Sequence, residues 1–165
     1  MKRTSIFLTL WIATLVFALS VNGQTQDPGS QTEQAPVIIF VCEHGAAKSI
    51  LSAAIFNKLA RERGLKLRAI ARGTNPDPEI SPKVASGLRA DELAPSELAP
   101  KKVSKADLVS ARRVITFCAL PDDYPGSIQV ENWDAFLPAI EDYGNARDKL
   151  AERIGRLLDE LKSKQ

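Results

Sequence analysis

The run VIIFV, from Val37 to Val41, constrains this chain more than any other segment. Five consecutive β-branched or aromatic residues cannot alternate between a wet and a dry face, so the strand they form is buried on both, as at the centre of a parallel sheet covered by helices. A short loop follows. From Ser49 to Arg63, Ile50, Ala53, Ala54, Phe56 and Leu59 then fall on one helical stripe, and Gly64 stands where a helix C-cap is wanted. Strand, loop and helix in this order open a βαβ unit.

The same alternation continues down the chain. Leu67 to Ala71 (LRAIA) is expected as a second strand, Gly73 to Pro82 (GTNPDPEISP) as a turn-rich connection, and Pro82 to Leu93 as a helix. A short helix from Ala106 to Ala111 leads into a third strand, Arg113 to Phe117 (RVITF). Ser127 to Trp133 (SIQVENW) supplies a fourth strand, and Asn145 to Lys162 closes the chain as a helix with Leu150, Ile154, Leu157, Leu158 and Leu161 inward. Strands alternating with helices give an α/β fold: a four-stranded, mostly parallel central sheet with helices on both faces, a three-layer sandwich. No repeat of fixed period occurs.

Residues 1–23 stand apart from this pattern, because Lys2 and Arg3 precede an uncharged stretch from Ile6 to Val21 that ends in small residues at Val21 and Gly23. Its 16 residues fall short of the roughly 20 a membrane span needs, so it is expected to be a signal peptide for a secreted or periplasmic protein, touching the membrane only if left uncleaved. Gln24 to Pro36 is polar and carries Pro and Gly, which suits a flexible linker at residues 24–36. The folded domain is then 37–165.

Charge and cysteine usage narrow the chemistry. With 22 Lys and Arg against 20 Asp and Glu, the chain has no long-range field that would favour nucleic acid. Cys42 and Cys118 are too few for a disulfide framework, and no Cys/His cluster has the spacing of a zinc site, so no metal and no cofactor are expected.

In an open α/β sheet, ligands bind at the carboxyl ends of the strands, which places Cys42-Glu43-His44-Gly45-Ala46-Ala47-Lys48-Ser49 at the expected site. Gly45, Ala46 and Ala47 are small enough to let backbone N–H groups converge on one point, and the helix beginning near Ser49 adds the positive end of its dipole. Such a loop is an anion cradle. A cysteine at its rim has its thiolate favoured by the same N–H groups and by Lys48, as a nucleophile attacking phosphorus or arsenic requires, and Ser49 can donate a further bond to the sulfur.

The segment IIFVCEHGAAKSILSAAIFNKLA resembles the phosphate loop and first helix of the low-molecular-weight protein tyrosine phosphatases and of the related thioredoxin-coupled arsenate reductases. ARGTNPDPEISP, KVSKADLVSARRVITF and VENWD resemble further segments of that family, so that the similarity spans 37–165. It implies a phosphate-binding loop of Glu43, His44, Gly45, Ala46, Ala47, Lys48 and Ser49, with Cys42 as nucleophile. Two departures are visible. Lys48 stands where the family has an arginine, keeping the charge but losing the two-point fork. The family's proton-donating Asp-Pro pair is absent, since Leu137 precedes Pro138; Asp134 is the preferred substitute, and Asp142 is expected as a helix cap.

The remaining candidates have plainer expected roles. His44 is a rim residue rather than a base. Cys118 falls where the reductases carry a second redox cysteine, but the further cysteine they use downstream is missing, and a buried structural thiol is expected. Arg72, Arg113, Lys101, Lys102 and Arg112 are expected as surface charges, and Trp133 as core or pocket rim. The function expected is an exported enzyme hydrolysing phosphate monoesters of the aryl or phosphotyrosine type through a phosphocysteine on Cys42, with Lys48 and Asp134 as its catalytic partners. The alternatives are arsenate reduction and a non-catalytic oxyanion-binding module.

Overall fold

The computed structural model describes residues 37–122, 129–136 and 140–164. The expected signal peptide and linker, the first residues of the expected fourth strand, and the Leu137-Pro138 pair lie outside the described residues. Four strands, β1 (Val37–Cys42), β2 (Arg68–Gly73), β3 (Ala111–Thr116) and β4 (Val130–Asn132), form one sheet in the order β2-β1-β3-β4, and every neighbouring pair is parallel. The helices are α1 (Lys48–Glu62), α2 (Pro82–Ala90), α3 (Lys105–Ser110) and α4 (Tyr143–Ser163). This is the three-layer α/β architecture expected from the sequence.

The continuous apolar run of β1 is explained by its two dry faces. Ile38 and Phe40 pack with Ile50 and Phe56 of α1 and Leu150 and Ile154 of α4, whereas Ile39 and Val41 pack with Val103, Leu108 and Val114 on the opposite side. Each fully buried side chain of this kind contributes roughly 1.5–3 kcal/mol relative to exposure. The strand is thereby fixed in depth as well as in register, and its last residue, Cys42, is held at the carboxyl edge of the sheet.

Helix ends follow local chemistry. Gly64, at φ +65°, ends α1 in a left-handed turn in which Leu65 N–H returns to Ala60 O at 2.9 Å. Ser104 and Asp107 form a reciprocal capping box at α3, and Asp142 accepts from Asn145 N–H at the start of α4, the cap expected of it. Helix α2 is shorter than expected, ending at Ala90 instead of Leu93, because Glu92 adopts φ 53° and sends Leu93 N–H back to Leu88 O at 2.8 Å. The Leu93 side chain is buried all the same, which is why the apolar period ran past the true end.

Two arginines expected on the surface are drawn into ion-pair networks, Arg113 buried and Arg72 half-buried. Arg113 is 7% exposed and donates to Glu160 at 2.8 Å. Arg72 joins β2 to the segment before α3, donating to Glu97 at 2.8 Å and to Asp107 at 3.1 Å. Burial alone would push the Glu97 carboxyl up, but hydrogen bonds from Lys101 and Arg72 hold it below the ordinary value, and Arg72 and Ser104 do the same against burial at Asp107. Sequence pattern missed both arginines because their partners lie 25 to 47 residues away in the chain. Lys101 and Lys102 are exposed as expected. Arg112 is half-buried, with a bond to Leu161 O.

Candidate active site

The loop between β1 and α1 is shaped by its carbonyls. Those of Cys42, Glu43, His44 and Ala46 accept from the N–H groups of Thr74, Asn75, Asp77 and Ser81, at 3.1, 2.8, 2.9 and 3.0 Å. In a trans peptide the next N–H points the opposite way from the carbonyl, so four outward carbonyls turn the N–H groups of Glu43, His44, Gly45 and Ala47 inward. Among the described residues, no acceptor takes up any backbone N–H from Glu43 to Lys48. Helix α1 likewise begins without a side-chain cap and without an acidic residue in its first turn. An uncapped helix start beside converging amides is suited to binding an anion.

Glycine is required at one point of this loop and at the place it touches. Gly45 sits at φ +62°, and a Cβ there would lie 2.9 Å from Gly73 N and 3.1 Å from Gly73 Cα. The converse approach, from Gly73 to Gly45 N, is 2.8 Å. The two glycines let the loop lie directly against the segment that receives its carbonyls.

The strand ends bring the side chains together. Cys42 ends β1, Cys118 lies two residues beyond β3, and Asp134 opens a 3-10 turn (Asp134–Phe136) after β4. All three line one cavity of about 380 Å³, together with Lys48 and the apolar walls of Phe117 and Ile140. Cys42 is 6% exposed, with its Sγ 3.2 Å from the hydroxyl of the fully buried Ser49. Lys48 Nζ crosses the cavity to donate to Asp134 Oδ1 at 2.7 Å. A second hollow of about 370 Å³, lined by Ile55, Lys58, Leu59, Glu62, Asp91 and Arg147 among others, has no cysteine among its lining residues.

The expected site residues thus divide. Cys42, Ser49, Lys48 and Asp134 converge, and Gly45, Ala46 and Ala47 form the cradle. Glu43 and His44 stand at the rim with exposed side chains, His44 bonded to Asp77 at 3.1 Å. Cys118 departs from the expectation of a fully buried structural thiol, for it is half-buried, packed against the Ile39 and Val41 side of the core, and lines the same cavity as Cys42. Burial pushes its thiol up, the Thr74 hydroxyl offsets part of this, and Cys42, Glu43 and Asp134 push it further. Trp133 is core, 2% exposed and edge-on to Phe40 and Phe117. Sequence reasoning missed Asp77, which the DPE segment carried without a partner to recognise, and Ile140, which follows no period. Among the described residues no group of three or more Cys, His, Asp or Glu side chains is arranged to hold a metal ion, and no helix is long and apolar enough to cross a membrane.

The fold has counterparts among known proteins. Residues 37–124, more than half of the chain, match the low molecular weight phosphotyrosine protein phosphatase family. The chain belongs to that family. Among solved structures, this family member is similar to a thioredoxin-dependent arsenate reductase of Corynebacterium glutamicum (21% identity, TM-score 0.66, covering 81% of this chain and 65% of that one). It is similar to the YwlE arginine phosphatase of Bacillus subtilis with a phosphorylated active-site serine (21% identity, TM-score 0.66, 76% and 95% covered). A low molecular weight phosphotyrosine phosphatase of Vibrio cholerae shares 13% identity at TM-score 0.67, with 78% and 98% covered. At these identities the likeness speaks for the fold. No curated protein matches the sequence. The family is one of cysteine-dependent enzymes, phosphatases and arsenate reductases, and a cysteine, Cys42, ends β1 in this chain.

Proposed function

We propose that the protein is an exported phosphatase that hydrolyses phosphate monoesters through a phosphocysteine on Cys42. The observation that carries this reading is the set of four inward N–H groups, those of Glu43, His44, Gly45 and Ala47, free of protein acceptors among the described residues in the loop that directly follows Cys42. Those amides bind the three non-bridging oxygens of the phosphoryl group and are already in place when its charge redistributes. Lys48 turns from Asp134 toward the bound phosphoryl group as a compact positive charge. The Cys42 thiolate attacks phosphorus, the S–P bond forms as the ester P–O bond breaks, and Asp134 delivers a proton to the departing oxygen. Water then attacks phosphorus, yields its proton to the Asp134 carboxylate, and breaks the S–P bond. Ser49 stabilises the sulfur as it leaves. The uncharged stretch from Ile6 to Val21 after Lys2 and Arg3 supports export, which fractionation of the producing cell tests.

Turnover of an aryl phosphate, with phosphorus retained on acid-quenched protein, is the expected result; turnover disappears in Cys42→Ser, and both turnover and the retained phosphorus disappear in Cys42→Ala. Turnover that survives Cys42→Ser rejects the reading. Binding of phosphate without turnover would leave the oxyanion-binding module in its place. One observation favours a second reading, arsenate reduction: Cys118 opens into the same cavity as Cys42. An arsenate-to-arsenite step oxidises two thiols to a disulfide, and loss of arsenate reduction with an added thiol reductant in Cys118→Ser would support it.

A further inference from the structure

Asp134 stands on a thinly attached piece of chain. The strand before it, β4, has three residues at the edge of the sheet. Its own turn is tied by Trp133 N–H to Thr116 O at 2.7 Å, by Asp134 N–H to Asn132 Oδ1 at 2.8 Å, and by Phe136 N–H to Trp133 O at 3.2 Å. Side-chain packing supplies what so short a backbone ladder lacks.

Phe40 and Phe117 pack edge-on against Trp133 from the core side, and Arg153 adds a hold on both Trp133 and Phe136. It projects from α4 with its guanidinium 4.5 Å from the ring centre of Trp133 and 4.6 Å from that of Phe136. The same group donates to Glu131 Oε1 at 3.0 Å, and this oxygen also accepts from Trp133 Nε1 at 2.6 Å. Arg153 therefore grips the residue before Asp134, the residue two after it, and the strand that leads into both. A planar guanidinium stacks on two aromatic faces and bonds a carboxylate at once, and an ammonium does not reproduce that combination. Arg153 lies in a separate hollow with Arg156 and Glu160 and is not part of the Cys42 cavity.

We infer that Arg153 is a positioning residue for Asp134: by clamping Trp133 and Phe136 to α4, it fixes the turn that holds the Asp134 carboxylate across the cavity from Cys42. The inference rests on the proposed role of Asp134 as proton donor. A donor matters most when the leaving group is poor, so misplacing Asp134 slows a phenyl ester and spares a nitrophenyl ester.

The experiment compares phenyl phosphate with para-nitrophenyl phosphate in Arg153→Met, Arg153→Lys, Asp134→Asn and the double variant of Arg153→Met with Asp134→Asn. Displacements near 1 Å are able to cost on the order of 100-fold, and a partial loosening should cost about tenfold in kcat/KM for phenyl phosphate in Arg153→Met. The nitrophenyl ester should change by less than about twofold, and competitive inhibition by inorganic phosphate should be unaltered. Arg153→Lys should fall between wild type and Arg153→Met, and it carries the same comparison if the methionine variant does not fold. Added to Asp134→Asn, Arg153→Met should cost nothing further, because a residue that acts through an absent carboxylate has nothing left to act on. Equal losses on both esters, additive losses in the double variant, or a wild-type rate on phenyl phosphate in both Arg153 variants overturns the inference while Asp134 keeps its role. If Asp134→Asn itself fails to distinguish the two esters, or wild type turns over neither, the proton-donor reading fails and the inference fails with it.

Discussion

Replacing Gly45 by alanine probes the contact on which the amide cradle depends. The left-handed backbone at φ +62° costs a side-chain-bearing residue about 1–2 kcal/mol. The new methyl would also meet Gly73 N at 2.9 Å, Gly73 Cα at 3.1 Å and Arg72 C at 3.3 Å, all backbone atoms that cannot rotate aside. The loop must then lift from the 73–81 segment, weakening one or two of the bonds that receive its carbonyls, at about 0.5–1.5 kcal/mol each. The stiffer unfolded chain returns about 0.4–1 kcal/mol. The net loss expected is about 1–4 kcal/mol. Gly64→Ala is the internal control, since Gly64 has φ +65° but nothing within 4 Å of the added carbon, so it bears the strain without the clash. Urea unfolding at constant m should therefore show a midpoint lowered by roughly 0.5–1.5 M more in Gly45→Ala than in Gly64→Ala, taking m near 2 kcal/mol/M. Phosphate should raise the midpoint of wild type and Gly64→Ala and fail to raise that of Gly45→Ala. Equal midpoints for the two variants would refute the close approach as a determinant of the loop.

Other expectations concern the thiols, Lys48 and acid stability. Iodoacetamide at mildly acidic pH should modify Cys42 well before Cys118 and be blocked by phosphate, because Ser49 lies 3.2 Å from one sulfur at the start of the amide loop while burial and negative neighbours push the other thiol up; equal rates would contradict the cradle. Lys48→Arg should raise aryl phosphatase turnover by about tenfold through a two-point contact worth an additional charged hydrogen bond of roughly 1.5 kcal/mol, and an unchanged rate would mean that the loop has adapted to lysine. Glu97 and Asp107 have folded-state carboxyls held below their ordinary values, so their contribution to stability is present above about pH 4.5 and is lost as pH falls through the lowered folded values. Glu97→Gln should flatten that acid limb in urea titrations at a series of pH values, and an unchanged slope would remove the Arg72 network from the account.

Much of the fold was legible in the sequence because burial leaves a periodic trace. The uninterrupted run of β1, the stripe of α1 and the Leu150–Leu161 face of α4 each report a dry surface, and each lies where expected. Boundaries were read less well where the signal is not apolar period: β3 begins at Ala111, before its expected start at Arg113, because pairing with Val37 and Ile38 of β1 extends the strand through residues whose polarity hides it. Arg72 and Arg113 were misplaced for a related reason, since a charged side chain in a sequence carries no mark of whether its partner is water or a distant carboxylate.

What the sequence by itself determined is local: a loop at residues 43–47, small at Gly45, Ala46 and Ala47, between a buried strand ending in Cys42 and a helix, whose glycine permits the backbone turn. What only the tertiary structure decided is which distant groups meet it. Lys48 reaches Asp134 across 86 residues, Cys118 shares the cavity with Cys42, and Arg153 of α4 clamps the turn that bears Asp134. The reason lies in the parallel sheet, which carries every strand in the same direction and so delivers the residues after β1, β3 and β4 to one edge. Spacing along the chain encodes the loop because its atoms are covalent neighbours, but the pairing order β2-β1-β3-β4 encodes the site.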